Sequence, residues 1–276
     1  MAQDNREPTP PRSHAPGRIQ GIEEMKDRRK FQLLIADIRD ALADGARENR
    51  YGDLFHATWE LMRFEDELAG DIGKVRELIA VGRAIRDATG PGRSVAEQKI
   101  IDTLKGIAWT CCSVLEEAGV PRIPDLAAAD ALIPDLRRFV LIVAELRDYA
   151  LECLRFNARP RDAFAGARRG QSFEILGIAG RLFDLPEALV MARQALRRSR
   201  SQTVRGAIVF LEDYFKAREG MEVPDDIHTA LLTVAETTDS RSTATGALNV
   251  LVETGEISDM EALDRLDDWK DKHNRR

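Results

Sequence analysis

The chain has 276 residues, 43% of them hydrophobic and 32% charged, with a net charge of −6. That length suffices for one large core or two small ones, and that apolar share is too high for a chain that stays unfolded. The acidic balance argues against bulk binding of polyanions, and the longest useful apolar run, residues 139–143, is far short of a membrane span.

Residues 1–20 carry Pro8, Pro10, Pro11 and Pro16 among polar neighbours and no apolar signal region, so they read as a disordered tail without a secretory leader. A first helix is expected over residues 21–43, with Met25, Leu34, Ile35, Ile38 and Leu42 on one stripe. A second is expected over 49–68. There Tyr51, Phe55, Trp59 and Met62 form one stripe and Leu54, Leu61 and Leu68 another, as in a helix packed on two sides. A third, over 71–89, stops at Gly90-Pro91-Gly92. Ser94 and Glu97 then have the spacing of a capping box, in which the serine oxygen and the glutamate each satisfy an orphan amide. The helix that follows ends near Gly119. Pro124-Asp125 opens a short helix and Pro134-Asp135 a long one, with Phe139, Val143, Leu146, Ala150, Cys153 and Leu154 facing the core. No segment alternates with period two, so no strand is expected.

Residues 157–170, with Pro160, Gly166 and Gly170 and few large apolar side chains, read as the internal boundary. The expected division is therefore a helical bundle over 21–157 and a second helical region over 158–276. Beyond the boundary a short helix is expected over 172–183, then one opened by Asp184-Leu185-Pro186-Glu187. Helices over 201–218, 225–238, 240–254 and 258–273 complete the chain. Ser258 and Glu261 give another capping box. In the last helix Met260, Leu263, Leu266 and Trp269 are expected inward, and Asp259, Asp264, Asp267, Asp268 and Asp271 outward as a polar end cap.

One segment occurs twice. Residues 201–211 align with 241–251: Thr203 falls on Thr243, Gly206 on Gly246, Ala207 on Ala247 and Leu211 on Leu251, an offset of 40 residues. On these positions residues 184–269 resemble a short HEAT-like array. The resemblance implies an all-α fold of antiparallel helix pairs in a right-handed solenoid that serves as a scaffold for other macromolecules. Some members of that family are enzymes that hold DNA in their concave face. The family's frequent proline in the first helix is absent, and its aspartate–arginine ladder is broken where Val204-Arg205 is matched by Ala244-Thr245. An unrelated helical bundle remains the alternative.

The chemistry-bearing residues form no familiar set. His14, His56, His228 and His273 are scattered, no Glu-x-x-His occurs, and the thiols have no zinc spacing. His56 with Asp53 and Glu60 on one helix face reads as surface charge. Cys111, Cys112 and Cys153 sit in apolar helical patterns, which suits core thiols in a reducing, cytoplasmic setting. No Gly-x-Ser-x-Gly elbow is present. Gly90-Pro-Gly-Arg-Ser94 lacks the lysine and the preceding strand of a phosphate loop. Neither a catalytic set, a metal nor a cofactor is expected.

The remaining feature is charge. Between Arg155 and Arg205 lie eleven arginines and four acids, a local +7 in an acidic chain. Arg168, Arg169, Arg197, Arg200 and Arg205 are the candidate anion-binding residues, because arginine forks suit phosphates and helix starts attract anions. A solvated, dipole-compensating face is the plainer reading of the same residues. The sequence therefore suggests a non-enzymatic scaffold for a protein partner, with a nucleic-acid- or phosphate-binding protein as the alternative and no membrane involvement.

Overall fold

The computed structural model describes residues 17–43, 51–61, 65–87, 93–156, 165–198, 201–218 and 220–274. They form twelve α-helices: α1 (Gly17–Ala43), α2 (Tyr51–Leu61), α3 (Glu65–Leu68), α4 (Ile72–Asp87), α5 (Arg93–Glu117), α6 (Pro134–Arg155), α7 (Ala165–Gly180), α8 (Pro186–Arg198), α9 (Ser201–Lys216), α10 (Asp225–Thr237), α11 (Arg241–Glu253) and α12 (Asp259–Asn274). A 3-10 helix, Leu126–Ala131, precedes α6. No strand occurs among the described residues; one isolated bridge joins Ile123 to Phe183.

Local chemistry sets most helix ends. The Asp125 carboxylate accepts from the Ala128 amide at 3.0 Å. Ser240 Oγ accepts from Thr243 N at 3.3 Å and Ser258 Oγ from Glu261 N at 3.2 Å. Each satisfies an amide that the first turn leaves orphaned. Pro134 occupies the start of α6, where its missing N–H costs nothing. Gly119, Gly220 and Gly255 lie at positive φ beyond α5, α9 and α11, a conformation that ends a helix cheaply only in glycine.

Two expectations fall partly outside the described residues: the second helix is described as α2 and α3, with residues 62–64 outside, and the Ser94 side chain of the expected capping box is outside as well. The Glu97 carboxylate of that box lies 2.7 Å from Arg168 Nε. Two others are corrected. Asp184 does not cap α8 but accepts from Arg218 at 2.9 Å and pairs with Arg122. Finally, α7 starts at Ala165, so Gly166 and Gly170 lie inside a helix and not in a linker.

The helices contact one another in two alternating rows. One runs α2, α5, α7, α9, α11; the other contains α1, α4 and α6, then α8, α10 and α12. Arg155 of α6 pairs with Glu187 of α8 across that second row. Neighbours within a row run parallel, and their ion pairs and hydrogen bonds keep step. Arg76–Glu145 and Arg83–Glu152 join α4 to α6, each at 2.7 Å; Asp102–Gln171 and Lys105–Glu174 join α5 to α7. All four are separated by 69 residues. Among the described residues one hydrophobic cluster extends from Phe31 to Ala262. The expected boundary after residue 157 falls in 157–164, outside the described residues. On its far side α7 packs on α5 and α6 as well as on α9.

Among the described residues α7 and α9 approach each other at backbone distance, and glycine makes it possible. A Cβ at Gly206 would lie 2.3 Å from Gly170 O, and one at Gly170 would lie 2.6 Å from Gln202 O. The matched segments occupy successive places in one row, since α9 and α11 are neighbours and pack on α8 and α10 respectively. Thr203, Thr243, Ala207, Ala247, Leu211 and Leu251 are all buried. Because Leu211 is fully enclosed, Leu211→Ala is expected to cost about 2–5 kcal/mol in chemical denaturation. A loss below about 1 kcal/mol would show that the site collapses onto its neighbours.

In α12 the five expected aspartates are exposed. Its apolar side is not as expected. Met260 and Leu263 are exposed, Leu266 and Trp269 are half-buried, and Ala262 is the buried member of the helix. Trp269 Nε1 donates to Thr238 O at 2.7 Å, which fixes α12 to the end of α10.

Candidate functional site

Among the described residues of the arginine-rich stretch, Arg155, Arg168, Arg181 and Arg193 join helices. Arg168 is 3% exposed, its guanidinium held against the Glu97 carboxylate and 5.6 Å from the centre of the Phe156 ring. Glu97 is itself 1% exposed. The expectation that Arg168 meets an anionic ligand is therefore corrected: its anion is internal. Arg169 Nη2 donates to Phe156 O at 3.4 Å. Arg155 pairs with Glu187, Arg181 with Glu116 and Arg193 with Asp226, each on another helix or helix end. Arg197 and Arg205 are exposed, and neither has an ion pair or hydrogen bond among the described residues. Arg200 lies outside the described residues.

Arg218 was missed by the sequence reading. It is buried at the end of α9 and donates to Gly180 O at 2.7 Å, Tyr214 O at 2.9 Å, Phe183 O at 2.6 Å and Asp184 Oδ1 at 2.9 Å. One guanidinium thus satisfies the last carbonyls of both α7 and α9. Its position in a last turn, two residues before Gly220, was the available signal. The hydrogen bond from Arg218, ahead of the charge of Arg122, holds the Asp184 carboxyl below the usual carboxylate range.

A different surface combines aromatic area with charge. Trp59 on α2 is 45% exposed and Trp109 on α5 is 54% exposed, although large aromatics ordinarily go inside. Lys99 Nζ stands 4.5 Å from the centre of the Trp59 ring and the Arg181 guanidinium 5.0 Å from that of Trp109. Lys99 and Trp109 are ten residues apart on α5, a rise of about 15 Å along that helix. Between them α5 presents Asp102 and Lys105, one helical turn apart, which reach Gln171 and Glu174 of α7.

Beyond α7 the same row carries half-buried carboxylates. A Cβ on Gly177 would lie 2.8 Å from Asp213 Oδ2, so the bare backbone of α7 makes room for that carboxylate. Burial pushes the Asp213 carboxyl up, while Arg181 and Lys216 pull it down. Burial likewise raises Glu212, with the neighbouring charges of Asp213 and Glu253 adding to it. Asp102 is raised by burial against the opposing charges of Lys105 and Lys99. The strip thus alternates ring, cation and partly desolvated carboxylate across α2, α5, α7 and α9.

The thiols are core groups. Cys111 Sγ donates to Ala69 O and Cys112 Sγ to Ile178 O. Burial pushes Cys112 up to about 12 and Cys153 up to about 11, so neither is a thiolate near neutrality. Among the described residues no three His, Cys, Asp or Glu side chains gather as metal ligands. Nor is any helix of the described residues long and apolar enough to cross a membrane.

One cleft of about 530 Å³ opens where α8 and α10 end and α9 and α11 begin, with Leu196, Val204 and Val234 among its walls. No protein family model matches this chain, and no curated protein or solved structure is significantly similar to it.

Proposed function

We propose that the chain is a non-enzymatic, cytoplasmic scaffold that binds another protein across the row of α2, α5, α7 and α9, its helix pairs arranged as a HEAT-like right-handed solenoid. The alternation of two rows, the parallel neighbours within each and the equivalent places of α9 and α11 support the solenoid over a closed bundle. The observation that carries the functional reading is the pair of exposed tryptophans, each under a cation. Exposed tryptophan area is the commonest source of concentrated binding energy at protein interfaces. The charged residues between the rings supply orientation and partner choice more than affinity. The arginines engaged with acids on other helices support a protein partner over a polyanion.

The test is co-purification from the source cell, with and without nuclease, of the native chain and of a Trp59→Ala/Trp109→Ala variant. A partner that survives nuclease and binds the variant at least about 30-fold more weakly is the expected result, since a central tryptophan contributes about 2 kcal/mol or more. Equal retention by both proteins would remove the tryptophan strip. Loss of all bound material to nuclease would replace the protein partner with a nucleic acid held through arginines such as Arg197 and Arg205.

A further inference from the structure

Charge is paired unevenly along the tryptophan strip. Lys105 meets Glu174 at 2.9 Å, Lys216 meets Glu253 at 3.5 Å, and Arg181 pairs with Glu116. Glu212 and Asp213 are left over. Both are half-buried on α9, and neither side chain has an ion pair or hydrogen bond among the described residues. Asp213 covers the bare backbone at Gly177, where a Cβ would stand 2.8 Å from its Oδ2. Arg181 and Lys216 pull its carboxyl down only from a distance, since each is closed on another acid. Burial raises both carboxyls, and the adjacent charge of Asp213 adds to the effect on Glu212. Ionised groups so placed gain from any cation that comes to them. The strip's cations without an acid, Lys99 and Arg205, lie toward the starts of α5 and α9, so the two signs are separated along the helices.

Trp109 is the apolar anchor of the acidic half. The 69-residue offset that pairs α5 with α7 sets it level with Ile178, next to the Gly177 that Asp213 covers. Arg181 stands over the Trp109 ring and also acts on Asp213, so ring and carboxylate share one neighbour. The sign of the occupant follows. An apolar segment laid over Trp109 would bury two unpaired carboxylates, and an anionic one would repel them. No three ligating side chains gather for a metal ion among the described residues, so the cation must be carried on a chain. We infer that the helix-end half of the strip receives a cationic segment of a protein partner, with an apolar side chain against Trp109 and lysine or arginine against Glu212 and Asp213. The inference rests on the scaffold reading and adds the chemistry of the partner.

The probe is a dye-labelled peptide alternating lysine and leucine, with its glutamate–leucine counterpart as control, each titrated with the full-length chain and followed by anisotropy. The lysine peptide is expected to bind saturably and to weaken as salt rises, and the glutamate peptide not to bind. Trp109→Ala should weaken binding at least about tenfold, and Glu212→Gln/Asp213→Asn about five- to tenfold. The acid variant removes no ion pair among the described residues, so its melting temperature should not fall. Asp264→Asn/Asp268→Asn removes the same charge from α12 and should leave binding unchanged. Equal weakening by that variant would reduce the effect to bulk attraction and overturn the site. Weakening by Trp109→Ala but not by the acid variant overturns the cationic partner and leaves the strip as a docking face. Absence of saturable binding of the lysine peptide overturns the inference. The scaffold reading is judged apart from it, by the co-purification with Trp59→Ala/Trp109→Ala, which uses no peptide.

Discussion

Arg168→Met is expected to lose about 3–5 kcal/mol of stability, read as a fall in the urea midpoint, because it strands the Glu97 carboxylate in the interior. Both partners are almost wholly inaccessible and their charged atoms meet at 2.7 Å. The attraction between them offsets two desolvations, and removing the cation leaves the Glu97 desolvation without that attraction. The Phe156 ring also loses the guanidinium that stands over it. The decisive comparison is the double variant Glu97→Met/Arg168→Met. With no charge left to strand, it should recover more than half of the loss, since apolar replacement of a whole buried pair is often neutral. Equal losses in the single and double variants would mean that packing around Arg168, and not its charge, carries the effect.

The two matched glycines should respond with opposite signs to the same substitution. Gly206→Ala places a methyl 2.3 Å from Gly170 O and 2.4 Å from Gly170 Cα. Those are backbone atoms inside a helix and cannot rotate aside, so α9 must move off α7. Overpacking of this kind costs about 1–3 kcal/mol and sometimes more, well above the ~1 kcal/mol that alanine gains over glycine in helix propensity. Gly246→Ala meets only the Ile208 Cγ2 methyl at 3.2 Å, which a small side-chain adjustment relieves. There the propensity gain should dominate, leaving the protein unchanged or stabler by up to ~1 kcal/mol. Thermal melts of the two variants measure the contrast. If both shift the same way, the α7–α9 approach is looser than the structure has it.

Periodicity and capping made the helices legible, and they placed Leu211 and Leu251 in the core. What they could not supply was the identity of neighbours. Gly166 and Gly170 read as breakers because glycine is costly in an isolated helix; its use here is visible only once Gln202 and Gly206 lie against it. Glu97 has the spacing of a capping residue, and its partner Arg168 is far along the chain. The arginine excess was real, but a charge count does not say which guanidinium faces an acid on the next helix. Met260 and Leu263 lie on an apolar stripe, yet α12 packs on α10 and α11 through Ala262, Leu266 and Trp269, and the two are exposed among the described residues. A stripe records what a helix could bury, not what its neighbours reach.

The glycine seam between α7 and α9 also bears on cooperativity. Arrays of helix pairs tend to come apart piecewise, since each pair touches only the next and weak interfaces let the ends melt independently. Here the helices leading up to α7 and the pairs following α9 meet at backbone-to-backbone approach where Gly170 lies against Gln202 and Gly206. Loosening either side would disturb the ridge on which the other is seated. The helices before α7 and those after α9 are therefore expected to unfold together in one transition.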